Sequence, residues 1–198
     1  FEKLAAFYKE RAQGGVGLIV TGGIAPNLRG RLAPHACQLS FSWQVGKHKI
    51  VTDAVHEAGG KICMQILHAG RYSYHPFSLA PSKVKSPITP FTPSAMSARQ
   101  VRSTIKDYAT SAALAKKAGY DGVEVMGSEG YLINQFISSR TNKRNDEWGG
   151  SYENRVKFPI EIVNAIRQKV GSDFIIVFRL SMLDLVDNGS TWDEVVQL

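Results

Sequence analysis

The chain repeats one unit, an amphipathic helix followed by a short glycine-containing joint and an apolar strand. In the copy at residues 51–66, Val51, Ala54, Val55 and Ala58 form a helical stripe with i, i+3, i+4, i+7 spacing. The same reading predicts strands at residues 16–21, 61–66, 121–125 and 174–180. Pro159 lies inside the last of the predicted helices, where a proline is expected to kink or break the helix.

The two kinds of joint differ in length. The helix-to-strand joints have two or three residues and carry glycine, as a helix C-terminus requires. The strand-to-helix joints are long and polar, at about residues 22–42, 67–99 and 126–150. This asymmetry favours an α/β fold of the β/α (TIM) barrel type, whose sites lie on the long-loop face. A doubly wound sheet is the alternative, although Gly15-Val16-Gly17 precedes a strand instead of following one.

The number of units is too small for a closed barrel, which needs eight strands and eight helices. The pattern shows four strands and about five helices, and the chain begins at Phe1 as if inside a helix. We therefore expect residues 1–198 to form one partial barrel, from its first helix to the start of its fifth, with no second domain. We also expect the chain to be cut from a longer one.

Composition narrows the class of partner. The net charge of +7 comes from scattered basic residues without a nucleic-acid motif, so we expect a small anionic partner and no nucleic acid. No 18-residue apolar run is present, which argues against a membrane span. Two cysteines cannot build a disulfide framework or hold a cluster alone, and the five histidines lack ligand spacing. We expect a cytoplasmic protein without a metal site in this chain.

Two polar residues stand out within apolar strands. Gln65 is either a hydrogen-bonded core residue or an amide that pairs with a heterocycle. Arg179 brings a permanent cation to the end of a strand that the pattern predicts to be buried. It either pairs with Asp184 or Glu124, or it stabilises an anionic cofactor.

Two loop positions are further candidates on the long-loop face. Gly22 and Gly23 follow the strand at residues 16–21, where they form either a plain turn or a gap for a flat ring. Tyr131 lies early in the loop at residues 126–150. It is either a packing residue or a phenol that donates a proton.

Several segments together resemble the old yellow enzyme family of FMN-dependent ene reductases. They read QILHAGR at residues 65–71, AGYDGVEV at 118–125 and GYLINQF at 130–136. The most specific segment, at 142–155, reads NKRNDEWGGSYENR and follows the family pattern N-x-R-x-D-x-[YW]-G-G-S-x-E-N-R. The resemblance covers essentially the whole chain.

A departure from the family pattern points to one branch. Met126 and Glu129 stand where many members carry ring-pairing His and His or Asn side chains. The segment MGSEGY at 126–131 and the segment RLSMLDLV at 179–186 resemble bacterial 2,4-dienoyl-CoA reductases. That resemblance implies FMN-dependent reduction of a conjugated C=C bond of an acyl-CoA, in unsaturated fatty acid β-oxidation.

The resemblance also assigns roles to single residues. It implies hydride transfer from FMN N5, with a proton from Tyr131. The remaining matches are flavin contacts at Gly23 and Gln65, a cation beside flavin N1/O2 at Arg179, and substrate contacts at Arg140 and Thr141.

Other parts of such an enzyme would lie outside the chain. The resemblance implies a C-terminal barrel half with the FMN phosphate loops and a catalytic histidine. It also implies reductase domains with a [4Fe–4S] cluster, FAD and NADPH, so we expect the 198-residue chain alone to be inactive. Two alternatives stay open: a member of the same family that acts on non-CoA enones or amines, and a catalytically silent half-barrel that packs against a partner.

Overall fold

The computed structural model describes residues 1–187 and 189–198. The helices are α1 (Glu2–Gln13), α2 (Val45–Glu57), α3 (Ala98–Lys117), α4 (Leu132–Ile137), α5 (Tyr152–Val170) and α6 (Trp192–Gln197). The strands are β1 (Leu18–Val20), β2 (Lys61–Ile66), β3 (Leu79–Ala80), β4 (Ser94–Ala95), β5 (Gly122–Gly127) and β6 (Ile175–Leu180). The predicted units are therefore present, with β1 shorter than the apolar run at residues 16–21.

The main sheet is parallel and has the strand order β1-β2-β5-β6. Each strand is thus added beside the one before it in the chain. A doubly wound sheet instead reverses its strand order at a switch point, so that alternative is wrong. The prediction of half a β/α barrel is confirmed. The strands β3 and β4 form a separate small ribbon within the loop after β2.

The helices begin and end where local chemistry favours it. The Ser97 hydroxyl accepts a hydrogen bond from the Gln100 amide while the Gln100 side chain bonds back, a capping box at the start of α3. Gly119 follows α3 with a φ of +88°, a left-handed conformation that glycine adopts without strain. The short joint to β5 depends on this residue.

The expectation that Pro159 interrupts its helix is wrong, because α5 runs continuously through it from Tyr152 to Val170. Pro159 is buried, and the neighbouring Phe158 and Ile162 are fully buried. Burial of two large apolar side chains contributes roughly 2–3 kcal/mol each, which offsets the roughly 3 kcal/mol cost of an interior proline.

The two faces of the main sheet differ. Ile62, Met64 and Ile66 of β2 alternate toward the helices and belong to the buried core. The other face is the interior of a closed barrel, and here Leu18, Val20 and Ile175 leave 43%, 37% and 39% of their surface exposed. The strands of the described chain leave this apolar face uncovered.

Within residues 1–187 and 189–198, no helix combines the length and the apolar character that a membrane crossing requires. Across the same residues, the His, Cys, Asp and Glu side chains form no group of three or more that could hold a metal ion.

Candidate active site

A cavity of about 310 Å³ lies at the carboxyl ends of the main strands; we call it the strand-end cavity. Its size is at the lower end of the range for small-molecule sites. The cavity is lined by Gly23, Ala25, Leu32, Ala36, Cys37, Gln65, Leu67, Met126, Glu129, Tyr131 and Arg179. The structure therefore brings the predicted flavin contacts and the predicted proton donor to one place, although they are up to 156 positions apart (179 − 23).

Gln65 makes the hydrogen bond that the first of its two interpretations predicts, and the pairing of its amide with a heterocycle stays a prediction. It lies opposite Glu124 in the β2–β5 register, and its Nε2 donates a hydrogen bond to Glu124 Oε1 at 2.7 Å. Glu124 is buried, so this bond fixes the orientation of the amide. The Gln65 Oε1 atom has no partner among the described residues, and it offers an acceptor to an N–H group in the cavity.

Arg179 differs from its prediction in burial and in partner. Its side chain is 50% exposed, and its guanidinium pairs with Glu129 Oε1 at 2.8 Å. The expected partner Asp184 instead accepts a hydrogen bond from Asn134, and Glu124 is held by the bond described above. Arg179 is exposed because β6 is an edge strand of the sheet and its inner face is uncovered. The cation therefore stands at the rim of the cavity.

Tyr131 is placed by an unusual turn. Glu129 and Gly130 both have positive φ values, of 61° and 78°. A Cβ on Gly130 would lie 2.5 Å from the Tyr72 hydroxyl, so no other residue fits without a shift. The Tyr131 ring then packs edge-to-face on Tyr72, with centroids 5.8 Å apart and planes at 78°.

Burial raises the pKa of Tyr131, and the nearby Glu129 charge raises it further. The phenol therefore stays protonated at neutral pH, as a general acid must. Among the described residues its hydroxyl has no hydrogen-bond partner, so the proton is not committed to the protein.

Gly23 is explained by packing rather than by a plain turn. A Cβ at this position would lie 2.8 Å from Leu67 Cδ1 and 2.9 Å from Leu67 Cβ. The glycine therefore lets Leu67 and the strand-end backbone approach each other, while the same backbone lines the cavity.

The predicted substrate residues lie in a second space, the adjoining cavity, of about 320 Å³. Arg140 and Thr141 line it, together with Tyr72, Glu129, Gly130, Asn134, Gln135, Ser138, Ser181, Leu183, Asp184 and Val186. Thr141 is buried and its hydroxyl donates to the Gln135 carbonyl at 2.8 Å, whereas Arg140 is exposed. Glu129 lines both cavities, so they are neighbours.

The most specific sequence motif, at residues 142–155, stabilises the loop after α4 and does not line the strand-end cavity or the adjoining cavity. The Asn142 amide donates to the Phe136 and Trp148 carbonyls, each at 2.8 Å. Arg144 pairs with Asp146 within the loop. These contacts hold the segment after α4 in place, and they explain why the motif needs those residue types.

From the sequence, Glu129 was noted only as a departure from the family pattern and was given no role in the site. It pairs with Arg179, raises the pKa of Tyr131 and separates the two cavities. The available signal was its place two residues before Tyr131 in the loop after β5, together with the glycine that follows it.

A parallel β/α sheet whose carboxyl edge gathers an amide, a guanidinium and a phenol has the architecture of a β/α-barrel enzyme. The sequence profile of the NADH:flavin oxidoreductase / NADH oxidase family matches residues 2–198. The chain belongs to this family of FMN-dependent oxidoreductases.

Individual relatives have diverse activities. The chain is 38% identical over 194 residues to a metal reductase of Desulforamulus reducens, covering 96% of this chain and 29% of the relative. It is 37% identical over 206 residues to an NADH oxidase of Thermoanaerobacter brockii, covering 100% of this chain and 31% of the relative. A solved 2-naphthoyl-CoA reductase complex superposes with a TM-score of 0.94 at 33% identity, covering 100% of this chain and 32% of that one. The chain thus spans about a third of the length of these relatives.

Proposed function

We propose that this chain forms the ring-binding and proton-donating part of an FMN-dependent reductase that acts on the conjugated C=C bond of a CoA thioester, most specifically a 2,4-dienoyl-CoA. The observation that carries the proposal is the convergence of Gly23, Gln65, Arg179 and Tyr131 on one cavity. The likeness to a structure of 2-naphthoyl-CoA reductase supports a CoA thioester as the substrate class.

The strand-end cavity fits the edge of a flavin ring. The Gln65 carbonyl oxygen can accept from a ring N–H, and the Arg179 guanidinium can donate to ring oxygens. Leu67 and Met126 supply an apolar wall, because they form a small buried cluster with Tyr131 packed against it. When bound, FMN supplies the hydride that the reduction requires.

Side chains of this part of the enzyme supply a positive charge and a proton for that reaction. Arg179 places a cation at the rim, where it counters negative charge on the reduced cofactor. Tyr131 holds a proton at its hydroxyl and donates it to the substrate carbon that becomes electron-rich. Arg140 and Thr141 bind and orient the substrate from the adjoining cavity.

The rest of the enzyme belongs to sequence outside residues 1–198. We propose that residues 1–198 are a continuous part of one barrel, completed by strands that cover Leu18, Val20 and Ile175. Electrons would reach FMN from NADPH through FAD and a [4Fe–4S] cluster in further domains. The fraction of each relative that the chain spans, about a third, leaves room for those parts.

The test is the oxidative half-reaction of the FMN-loaded holoenzyme. The photoreduced enzyme is mixed without oxygen with a 2,4-dienoyl-CoA, with 2-cyclohexenone, or with anaerobic buffer alone, and flavin reoxidation is followed at its absorbance maximum. We expect the dienoyl-CoA to reoxidise the flavin at least about a hundredfold faster than cyclohexenone, as oriented binding of the thioester requires. Faster reaction with the enone, or reduction of the oxidised flavin by a methylated amine, would refute the CoA thioester as substrate. Either result would instead support a family member that acts on non-CoA enones or amines.

A further inference from the structure

A third space on the same face is strongly basic. It is an open groove of about 640 Å³ lined by Arg71, Val84, Lys85, Ser86, Pro87, Thr89 and Arg140; we call it the basic groove. Three of these side chains carry positive charge and none carries negative charge. Part of the net charge of +7 is therefore concentrated at one place.

The groove is built by specific hydrogen bonds. Arg71 Nη1 donates to the Lys85 carbonyl at 3.3 Å, and the Thr89 hydroxyl donates to the Arg71 carbonyl at 3.1 Å. These bonds tie the loop between β3 and β4 to the turn after β2. Arg71 uses one guanidinium N–H in this way, and Lys85 has no carboxylate partner among the described residues.

The basic groove is continuous with the active site. Arg140 lines both the groove and the adjoining cavity, and Glu129 lines both the adjoining cavity and the strand-end cavity. The three spaces therefore follow one another from Tyr131 to Lys85. Asn134 and Gln135 line the middle space and brace it, because their amides hydrogen-bond to Asp184 and to backbone groups of the surrounding loops.

We propose that the basic groove binds the phosphates of the substrate's 3′-phospho-adenosine diphosphate tail, while the adjoining cavity holds an uncharged amide-containing arm. A CoA thioester has this order of parts: a reactive acyl group, an arm with two amides, and a tail with three phosphates. The inference rests on the proposed function, since it names how the same thioester is held. NADPH carries similar phosphates, but the groove opens onto the cavity that holds the predicted substrate residues Arg140 and Thr141.

The test compares ligands with and without phosphates on the FMN-loaded holoenzyme. Binding of hexanoyl-CoA and of S-hexanoyl-pantetheine, neither of which is conjugated, is measured by calorimetry for wild type and Lys85→Glu. We expect Lys85→Glu to weaken the binding of hexanoyl-CoA about tenfold. The substitution replaces the attraction between an exposed ammonium group and the phosphates by a repulsion of similar size. Binding of S-hexanoyl-pantetheine is expected to stay the same. Lys85→Arg is expected to retain affinity.

The matched control is Lys117→Glu, an equal change of charge on the exposed end of α3, outside the residues that line the groove. This variant is expected to bind both ligands with unchanged affinity. Added salt should weaken the binding of hexanoyl-CoA more than that of S-hexanoyl-pantetheine, because salt screens the contacts to phosphates. The proposal is overturned by an unchanged hexanoyl-CoA affinity in Lys85→Glu or by equal weakening of both ligands. A loss confined to NADPH in the reductive half-reaction overturns it as well. Lys85-dependent hexanoyl-CoA binding in an enzyme that fails to reduce dienoyl-CoA would support the groove and refute only the proposed reaction.

Discussion

Replacing Tyr131 by phenylalanine tests the proton donor with little structural change. The substitution removes one oxygen, and the ring keeps its edge-to-face contact with Tyr72 at 5.8 Å. Because the hydroxyl has no hydrogen-bond partner among the described residues, no buried group is left unpaired. The free energy of unfolding should therefore change by less than about 0.5 kcal/mol.

The expected kinetic effect is much larger. A positioned general acid contributes about 10²–10⁴ in rate, which corresponds to about 3–5 kcal/mol of activation free energy. A Tyr131 that only packs would change the rate less than about twofold, since phenylalanine preserves that packing. Burial and Glu129 raise the pKa of Tyr131, so the wild-type rate should show no loss from its ionisation between pH 6 and 9.

Stopped-flow spectroscopy of the two half-reactions separates these cases. In Tyr131→Phe holoenzyme, flavin reduction by NADPH should proceed almost normally, while reoxidation by a 2,4-dienoyl-CoA slows by the full factor. Tyr152→Phe is the matched control, because it removes a phenol that donates to the Glu194 carbonyl outside the three cavities. Equal slowing of both half-reactions, or no slowing of either, would refute Tyr131 as the proton donor.

Three further substitutions have defined outcomes. Arg179→Ala should lower the FMN reduction potential by about 30–65 mV in a dye-coupled titration of the holoenzyme, because a charge-assisted hydrogen bond to the reduced cofactor contributes about 1.5–3 kcal/mol. Arg179→Lys should restore only part of it, and an unchanged potential in the alanine variant would leave Arg179 as a structural ion pair. Burial lowers the pKa of His48 to about 4 from 6.5, so its contribution is complete above pH 6.5 and is lost as pH falls toward 4. Urea unfolding should therefore show that the free energy of unfolding of wild type falls between pH 6.5 and pH 4. In His48→Gln that fall should be smaller by about 3 kcal/mol, because the variant has no group to titrate at this position. Gly130→Ala should lower the free energy of unfolding by about 1–2 kcal/mol, because the φ of Gly130 is +78° and a Cβ there meets Tyr72. The control Gly46→Ala in α2 should not lower it, since alanine favours a helix. Equal melting temperatures of the two variants would contradict this.

The order of helices and strands could be read from local patterns. Apolar spacing in residues 51–58 and the glycines that follow predict α2 and its short joint to β2, because these signals act within one element. The placing of long loops at one end of the sheet likewise predicts that Gln65 and Tyr131 meet there. Such agreement reflects the geometry of parallel strands, whose carboxyl ends share one edge.

The burial and the partners of each side chain depend on contacts between segments that are distant in the sequence. Whether Arg179 is buried depends on what covers the inner face of β6, and its partner Glu129 lies in a turn whose backbone N–H groups donate to Ser181 and Asn134. Likewise, α5 continues through Pro159 because packing offsets the local cost. Local propensities set which element forms, whereas exposure, ion pairing and pKa depend on neighbours brought together only by the fold.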